Sequence, residues 1–165
     1  MYVAADHPPW RLGVYDSESH HTSYVLPDFE YRVYEPRFSP DGRWIAFNAR
    51  LAPERTQGFV IDFLHASAVR KSDWIPVNDG RFWNEQPEWA PSGRLVYFQS
   101  NRDGFACIWA QHIDGLTKRR VGLPFGVYHS HIASLTLEDF TAPARDKMIL
   151  SLEENAANIW MTELE

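Results

Sequence analysis

The chain repeats itself, and that constrains its fold more than any other feature. Pro36-Arg37-Phe38-Ser39-Pro40-Asp41-Gly42-Arg43-Trp44-Ile45-Ala46-Phe47 returns as Pro87-Glu88-Trp89-Ala90-Pro91-Ser92-Gly93-Arg94-Leu95-Val96-Tyr97-Phe98, an offset of 51 residues. Ile108-Trp109 and Ile159-Trp160 repeat a second signature at the same offset. A period of this length marks one supersecondary unit stacked several times, each copy needing its neighbours to cover its apolar faces.

The chemistry of the repeat predicts its shape. In each copy a proline fixes φ at the second position of a tight turn, a polar residue bonds to the backbone, and a glycine accepts positive φ. Pro40, Asp41, Gly42 and their counterparts Pro91, Ser92, Gly93 are therefore structural turns, and the first of them folds residues 37–39 and 43–48 back on each other as a hairpin. The segments that follow, Trp44-Ile45-Ala46-Phe47 and Leu95-Val96-Tyr97-Phe98, are apolar at every position. Both of their faces must be covered, as in a strand lying between stacked sheets.

Composition agrees. The chain has 165 residues, one domain's worth, with 15% aromatics, 11 prolines and 9 glycines, and shows no amphipathic helix of useful length. The expected class is all-β, with blade parts at about 10–26 (strands c and d), 36–77 and 87–123 (a to d), and 132–165 (a to c). In the last part residues 141–147 replace the proline turn and Met148-Ile149-Leu150-Ser151-Leu152 reads as strand b. Residues 29–35, 80–86 and 125–131 read as connectors between units, and 50–58 as an elongated, mobile b–c loop.

Charge and cysteine usage exclude other classes. The formal charge is −6, of which residues 132–165 hold −5, so a basic surface over much of the protein is excluded and no nucleic-acid partner is expected. Lys118-Arg119-Arg120 is read as a d strand whose edge is protected by charge. The single cysteine, Cys107, cannot form an internal disulfide and reads as a buried small hydrophobe. No run approaches the roughly 20 apolar residues of a membrane span, so membrane insertion is not expected. The first ten residues lack the pattern of a signal peptide. The expected compartment is the cytoplasm as the chain is given, or the periplasm if it is part of a longer exported protein.

On these residues the sequence resembles the TolB-like (WD-type) β-propeller repeat. Ser39-Pro40-Asp41-Gly42-Arg43-Trp44-Ile45-Ala46-Phe47 matches the opening turn of such a blade without a gap, and His112-Ile113-Asp114-Gly115 matches its other end. The last 35 residues resemble the closing blade in the C-terminal part of larger bacterial propeller proteins. The resemblance implies a β-propeller or partial propeller of about three to four four-stranded blades. Such a chain is a piece of a longer protein, a tight four-bladed ring, or half of a ring completed by a second copy. The homodimer is the favoured of the three. The family supplies binding scaffolds, often periplasmic or attached to kinase, DNA-binding or peptidase domains.

Function is therefore sought in binding. No Gly-x-Ser-x-Gly motif, positioned Cys–His pair or phosphate loop is present, so no enzyme activity and no cofactor are expected. The connectors mix aromatics with polar groups, the types that carry interface energy. The candidate binding residues are Tyr31, Arg32 and Tyr34; Arg81, Phe82 and Trp83; and Phe125, Tyr128 and His129. Packing between blades is an equally weighted reading of the same rings. His129 and His131, two apart and so on one face if extended, could supply two metal ligands, with Glu138 or Asp139 as a third. That reading stands second to a polar loop, and no metal is expected. The expected function is a non-catalytic scaffold for protein–protein interaction or ligand sensing, its partner unidentified. The alternatives are an accessory propeller piece of a peptidase, hydrolase or signalling protein, and a carbohydrate-binding propeller.

Overall fold

The computed structural model describes residues 2–4, 10–63, 69–132, 134–144 and 147–154. Ile159-Trp160, the rest of 155–165 and the expected turn at 145–146 lie outside them. The described chain forms four antiparallel sheets in succession. The first contains β1 (Tyr2–Ala4), β2 (Trp10–Asp16) and β3 (His21–Phe29). The second contains β4 (Arg32–Phe38), β5 (Trp44–Ala52), β6 (Arg55–Asp62) and β7 (Ile75–Pro76), with one 3-10 turn at Lys71–Asp73. The third contains β8 (Asn84–Trp89), β9 (Leu95–Ser100), β10 (Cys107–His112) and β11 (Phe125–Tyr128). The fourth pairs β12 (Leu135–Ala144) with β13 (Lys147–Glu154). Each sheet is a meander in chain order, the pattern of propeller blades.

The two proline hairpins fall in different sheets, as the repeat requires. Gly42 has φ +68° and Gly93 φ +63°, and each donates its N–H three residues back, to Ser39 O at 2.9 Å and Ala90 O at 2.9 Å. Asp41 Oδ1 accepts from Arg43 N at 3.2 Å and from Ser39 Oγ at 2.5 Å.

Alternation along β5 shows how the blades stack. Ile45, Phe47 and Ala49 join Leu12 and Leu26 of the first sheet in one core, while Trp44 and Ala46 join Trp89, Val96 and Phe98 of the third sheet in a second core. Successive residues of a strand point to opposite faces, so one apolar run serves two interfaces. A third, smaller core sets Ile108 against Leu137 and Phe140 of β12.

Three local expectations are corrected. Residues 50–58 are not a mobile loop: β5 and β6 continue the ladder to Ala52↔Arg55, leaving only Pro53 and Glu54 in the turn. The sequence there is polar because its strands reach solvent, not because they stop pairing. Lys118-Arg119-Arg120 is not an outer strand, a place taken by β11. Lys118 is buried, its Nζ 3.1 Å from Gly93 O and above the rings of Trp44 and Trp89 at 5.7 and 5.5 Å, so it pins two blades together. The third correction concerns the connectors: 29–35 and 125–131 are largely strand, since β4 begins at Arg32 and Phe125–Tyr128 is β11.

Candidate functional site

The strands β4, β8 and β12, which open the second, third and fourth sheets, lie side by side in that order. Each carries the same irregularity, a shift of register between Tyr34 and Arg37, between Glu85 and Glu88, and between Leu137 and Asp139. Two of the bulged residues sit in the left-handed region without being glycine: Glu35 at φ +52° and Gln86 at φ +53°. That conformation costs roughly 1–2 kcal/mol for an L residue, so the surroundings must hold it. They do: Glu35 Oε2 accepts from Gln86 N at 2.7 Å and from Asn48 Nδ2 at 2.8 Å, and Gln86 Nε2 donates to Glu138 O at 2.9 Å.

Equivalent residues of neighbouring blades also bond each other directly. Tyr34 OH donates to Glu85 Oε1 at 3.2 Å, and Arg37 Nε pairs with Glu88 Oε1 at 2.5 Å, both across 51 residues. Trp89 Nε1 donates to Arg37 O at 3.1 Å. The result is an acid-rich row along the opening strands, in which the Glu35 charge reaches both Glu85 and Glu88. Burial, then the Glu35 charge, raises the pKa of Glu85. Burial raises that of Glu88 against the lowering pull of Arg37. Burial, then the Glu85 and Glu35 carboxylates, drives the Tyr34 hydroxyl upward as well.

The residues singled out from the sequence divide into groups. Tyr34 and Trp83 meet at Glu85, which accepts a hydrogen bond from each side chain. Arg32 lies over the rings of Trp10 and Tyr34 at 5.7 and 5.4 Å, and Tyr31 lies under Lys71 Nζ at 3.8 Å. Phe82 is covered by the guanidinium of Arg102 at 5.5 Å, whereas Arg81 is exposed. Phe125 stands apart on the outer strand β11, against His112, so it is not equivalent to the other connector aromatics. Tyr128 packs on the third core.

His129 and His131 follow β11 in a non-strand segment, not on a strand. His129 Nδ1 lies 2.8 Å and His131 Nε2 3.0 Å from the same oxygen, Asp103 Oδ2. Burial opposes its ionisation, but the hydrogen bonds from His131 and His129 hold Asp103 below the usual carboxylate range. Beside them is Cys107, fully buried at the start of β10, its thiol pushed up by burial. The acid that gathers with the histidines is thus Asp103 of the β9–β10 turn, in place of the expected Glu138 or Asp139 of β12. Glu35, Arg37, Glu88 and Asp103 escaped the sequence reading. The 51-residue spacing of polar positions in the opening strands would have found the first three.

No family model matches the chain, and no curated protein matches it by sequence. Solved structures do match by shape. A prolyl endopeptidase superimposes with TM-score 0.58 at 17% identity, over 93% of this chain and 24% of that one. A putative TolB from Agrobacterium tumefaciens gives TM-score 0.57 at 14% identity, over 92% of this chain and 53% of the other. The S511A mutant of a puromycin hydrolase, complexed with PGG, gives 0.53 at 20% identity, over 83% and 21%. The chain thus spans between about a fifth and a half of the length of these structures. Four antiparallel sheets stacked face to face, in a chain that superimposes on a putative TolB and on a prolyl endopeptidase, have the all-β fold of a partial β-propeller, similar to the propellers of those proteins.

Proposed function

We propose that the chain is a non-catalytic β-propeller scaffold that binds a protein partner through the rim and opening strands of its blades, and that it associates with itself to complete the ring. The observation that carries the binding role is the interblade row in which Tyr34, Glu35, Glu85 and Glu88 are tied across neighbouring blades while Arg32, Phe82 and Trp83 flank it only half-buried or exposed. A row of carboxylates, two of them held above their ordinary pKa first by burial and further by the Glu35 charge, favours a cationic ligand, and aromatics beside arginine supply contact energy. A basic segment of a protein is the ligand class this chemistry fits. Titration with a hexa-arginine peptide, read by tryptophan fluorescence, should saturate, weaken with salt, and weaken again in Glu85→Gln. Failure of the peptide to bind would overturn the assignment of a basic segment. Light scattering on the purified chain should give a multiple of 19.2 kDa, and a monodisperse 19.2 kDa species would overturn self-association.

A second reading is favoured by two of the structural matches. The chain covers 24% of a prolyl endopeptidase and 21% of a puromycin hydrolase, so in each it corresponds to one piece of a larger hydrolase. Under it the chain alone has no turnover, and a hydrolase domain encoded in the same reading frame is the discriminating observation.

A further inference from the structure

We propose that Asp103, Cys107, His129 and His131 form a four-coordinate site for a divalent transition metal, zinc by the chemistry of the donors. One ligand atom from each lies within 4.8 Å of every other. Tetrahedral zinc with these donors needs them about 3.3–3.7 Å apart, so the His–Asp contacts of 2.8 and 3.0 Å open slightly and the set closes around the ion. Cysteine and imidazole select zinc over calcium or magnesium, and one thiolate with one carboxylate neutralises the 2+ charge. The four meet at one end of the third blade: Asp103 from the β9–β10 turn, Cys107 from the first position of β10, and His129 and His131 from the segment that leaves β11.

A hydrogen-bonded Asp between two histidines needs neither a buried thiol nor shaped surroundings, and this cluster has both. Ser130 N–H bonds the Cys107 sulfur, so the segment carrying the histidines is folded onto the thiol. Phe105 stacks on His131 with centroids 4.6 Å apart, and Trp109 meets His129 edge-on at 5.2 Å. Gly126 supplies the clearest sign of fit, because a Cβ built there would lie 1.8 Å from His129 Nε2. Only glycine leaves the imidazole room to face Asp103. With all four positions taken by protein, the site is structural: it would fasten β11, a four-residue outer strand with mostly exposed side chains, to the blade.

The test is calorimetric titration of the chelator-treated chain with Zn2+, with Co2+ as the spectroscopic probe. One ion per chain should bind, Tm should rise with the logarithm of free Zn2+, and Co2+ should give tetrahedral d–d bands with a thiolate charge-transfer band. Cys107→Ser should remove the charge-transfer band. That variant perturbs the core, so His131→Ala and Gly126→Ala at the surface supply independent readings. His131→Ala should abolish stoichiometric binding, and Gly126→Ala, which replaces no ligand but drives a Cβ into the His129 ring, should weaken it by about 10–100-fold. Absence of heat and of cobalt bands in the parent chain overturns the site, as does binding that survives His131→Ala.

Discussion

Removing the guanidinium of Arg37 while keeping its aliphatic stem, as in Arg37→Met, tests whether the row between blades is an energetic link. Glu88 is 5% exposed and its Oε1 takes the Arg37 Nε at 2.5 Å, so the variant strands a carboxylate at the seam between the second and third sheets. A hydrogen bond to a charged group contributes roughly 1.5–3 kcal/mol, and Arg37 is a third exposed, which places the expected loss near the lower end, about 2 kcal/mol at pH 8. With a urea dependence of about 2 kcal/mol per molar, the unfolding midpoint should fall by about 1 M. The loss must also depend on pH, with a definite sign. The folded pKa of Glu88 already lies above its ordinary value of 4.5 because of burial, with Asp139 and Glu35 adding to the rise and Arg37 opposing it. Without Arg37 it rises further. At pH above both folded values the carboxylate is ionised in both proteins and the full penalty shows. As pH falls through the folded pKa of the variant, Glu88 takes up its proton there first and the two stabilities converge. Urea melts of both proteins between pH 4.5 and 8, followed by tryptophan fluorescence, measure this. A difference that stays constant across that range would refute the idea that Glu88 is a buried charge held by Arg37.

Three more expectations rest on other features. Gly42→Ala and Gly93→Ala should each cost about 1 kcal/mol and lower Tm by about 2–4 °C. Both glycines have φ near +65°, and no atom lies closer than 4.0 Å to an added Cβ, so strain alone acts; scanning calorimetry on the pair decides it. Thr56→Val should cost about 2 kcal/mol, because Thr56 Oγ1 both donates to Asn84 O and accepts from Asn84 N at 2.6 Å; faster hydrogen exchange at the Asn84 amide would confirm the released clasp. The Asp41 carboxylate, held low first by the Ser39 hydroxyl and then by Arg43 N–H, supports the turn above its ordinary pKa of 3.8. That support disappears as pH drops through the lowered folded value, so Asp41→Asn should flatten the acid limb of the stability curve, as acid titration followed by circular dichroism would show.

The parts of the fold legible in the sequence are those decided locally. Pro40-Asp41-Gly42 and Pro91-Ser92-Gly93 specify their turns within four residues, and the apolar run of β5 announces two covered faces by itself. The opening strands were hidden because their continuity depends on left-handed Glu35 and Gln86, which are held by side-chain bonds to β5 and to the neighbouring blade that a linear reading does not show. Lys118 misled for a similar reason: a lysine between two tryptophans looks, in a linear reading, like any other member of a basic run. At the histidine cluster the sequence offered one half. The His-x-His spacing is visible, but Asp103 and Cys107 come from a turn and a strand start more than 20 residues away, and only the antiparallel pairing of β10 with β11 brings the halves together.

Gln86 ties the opening strands on both sides of it, its backbone N–H to Glu35 Oε2 of the sheet before and its side-chain Nε2 to Glu138 O of the sheet after. The two junctions are chemically different, a carboxylate on an amide at the first and an amide on a carbonyl at the second, so the blades are not interchangeable and their order along the chain is fixed by which side chain each opening strand carries.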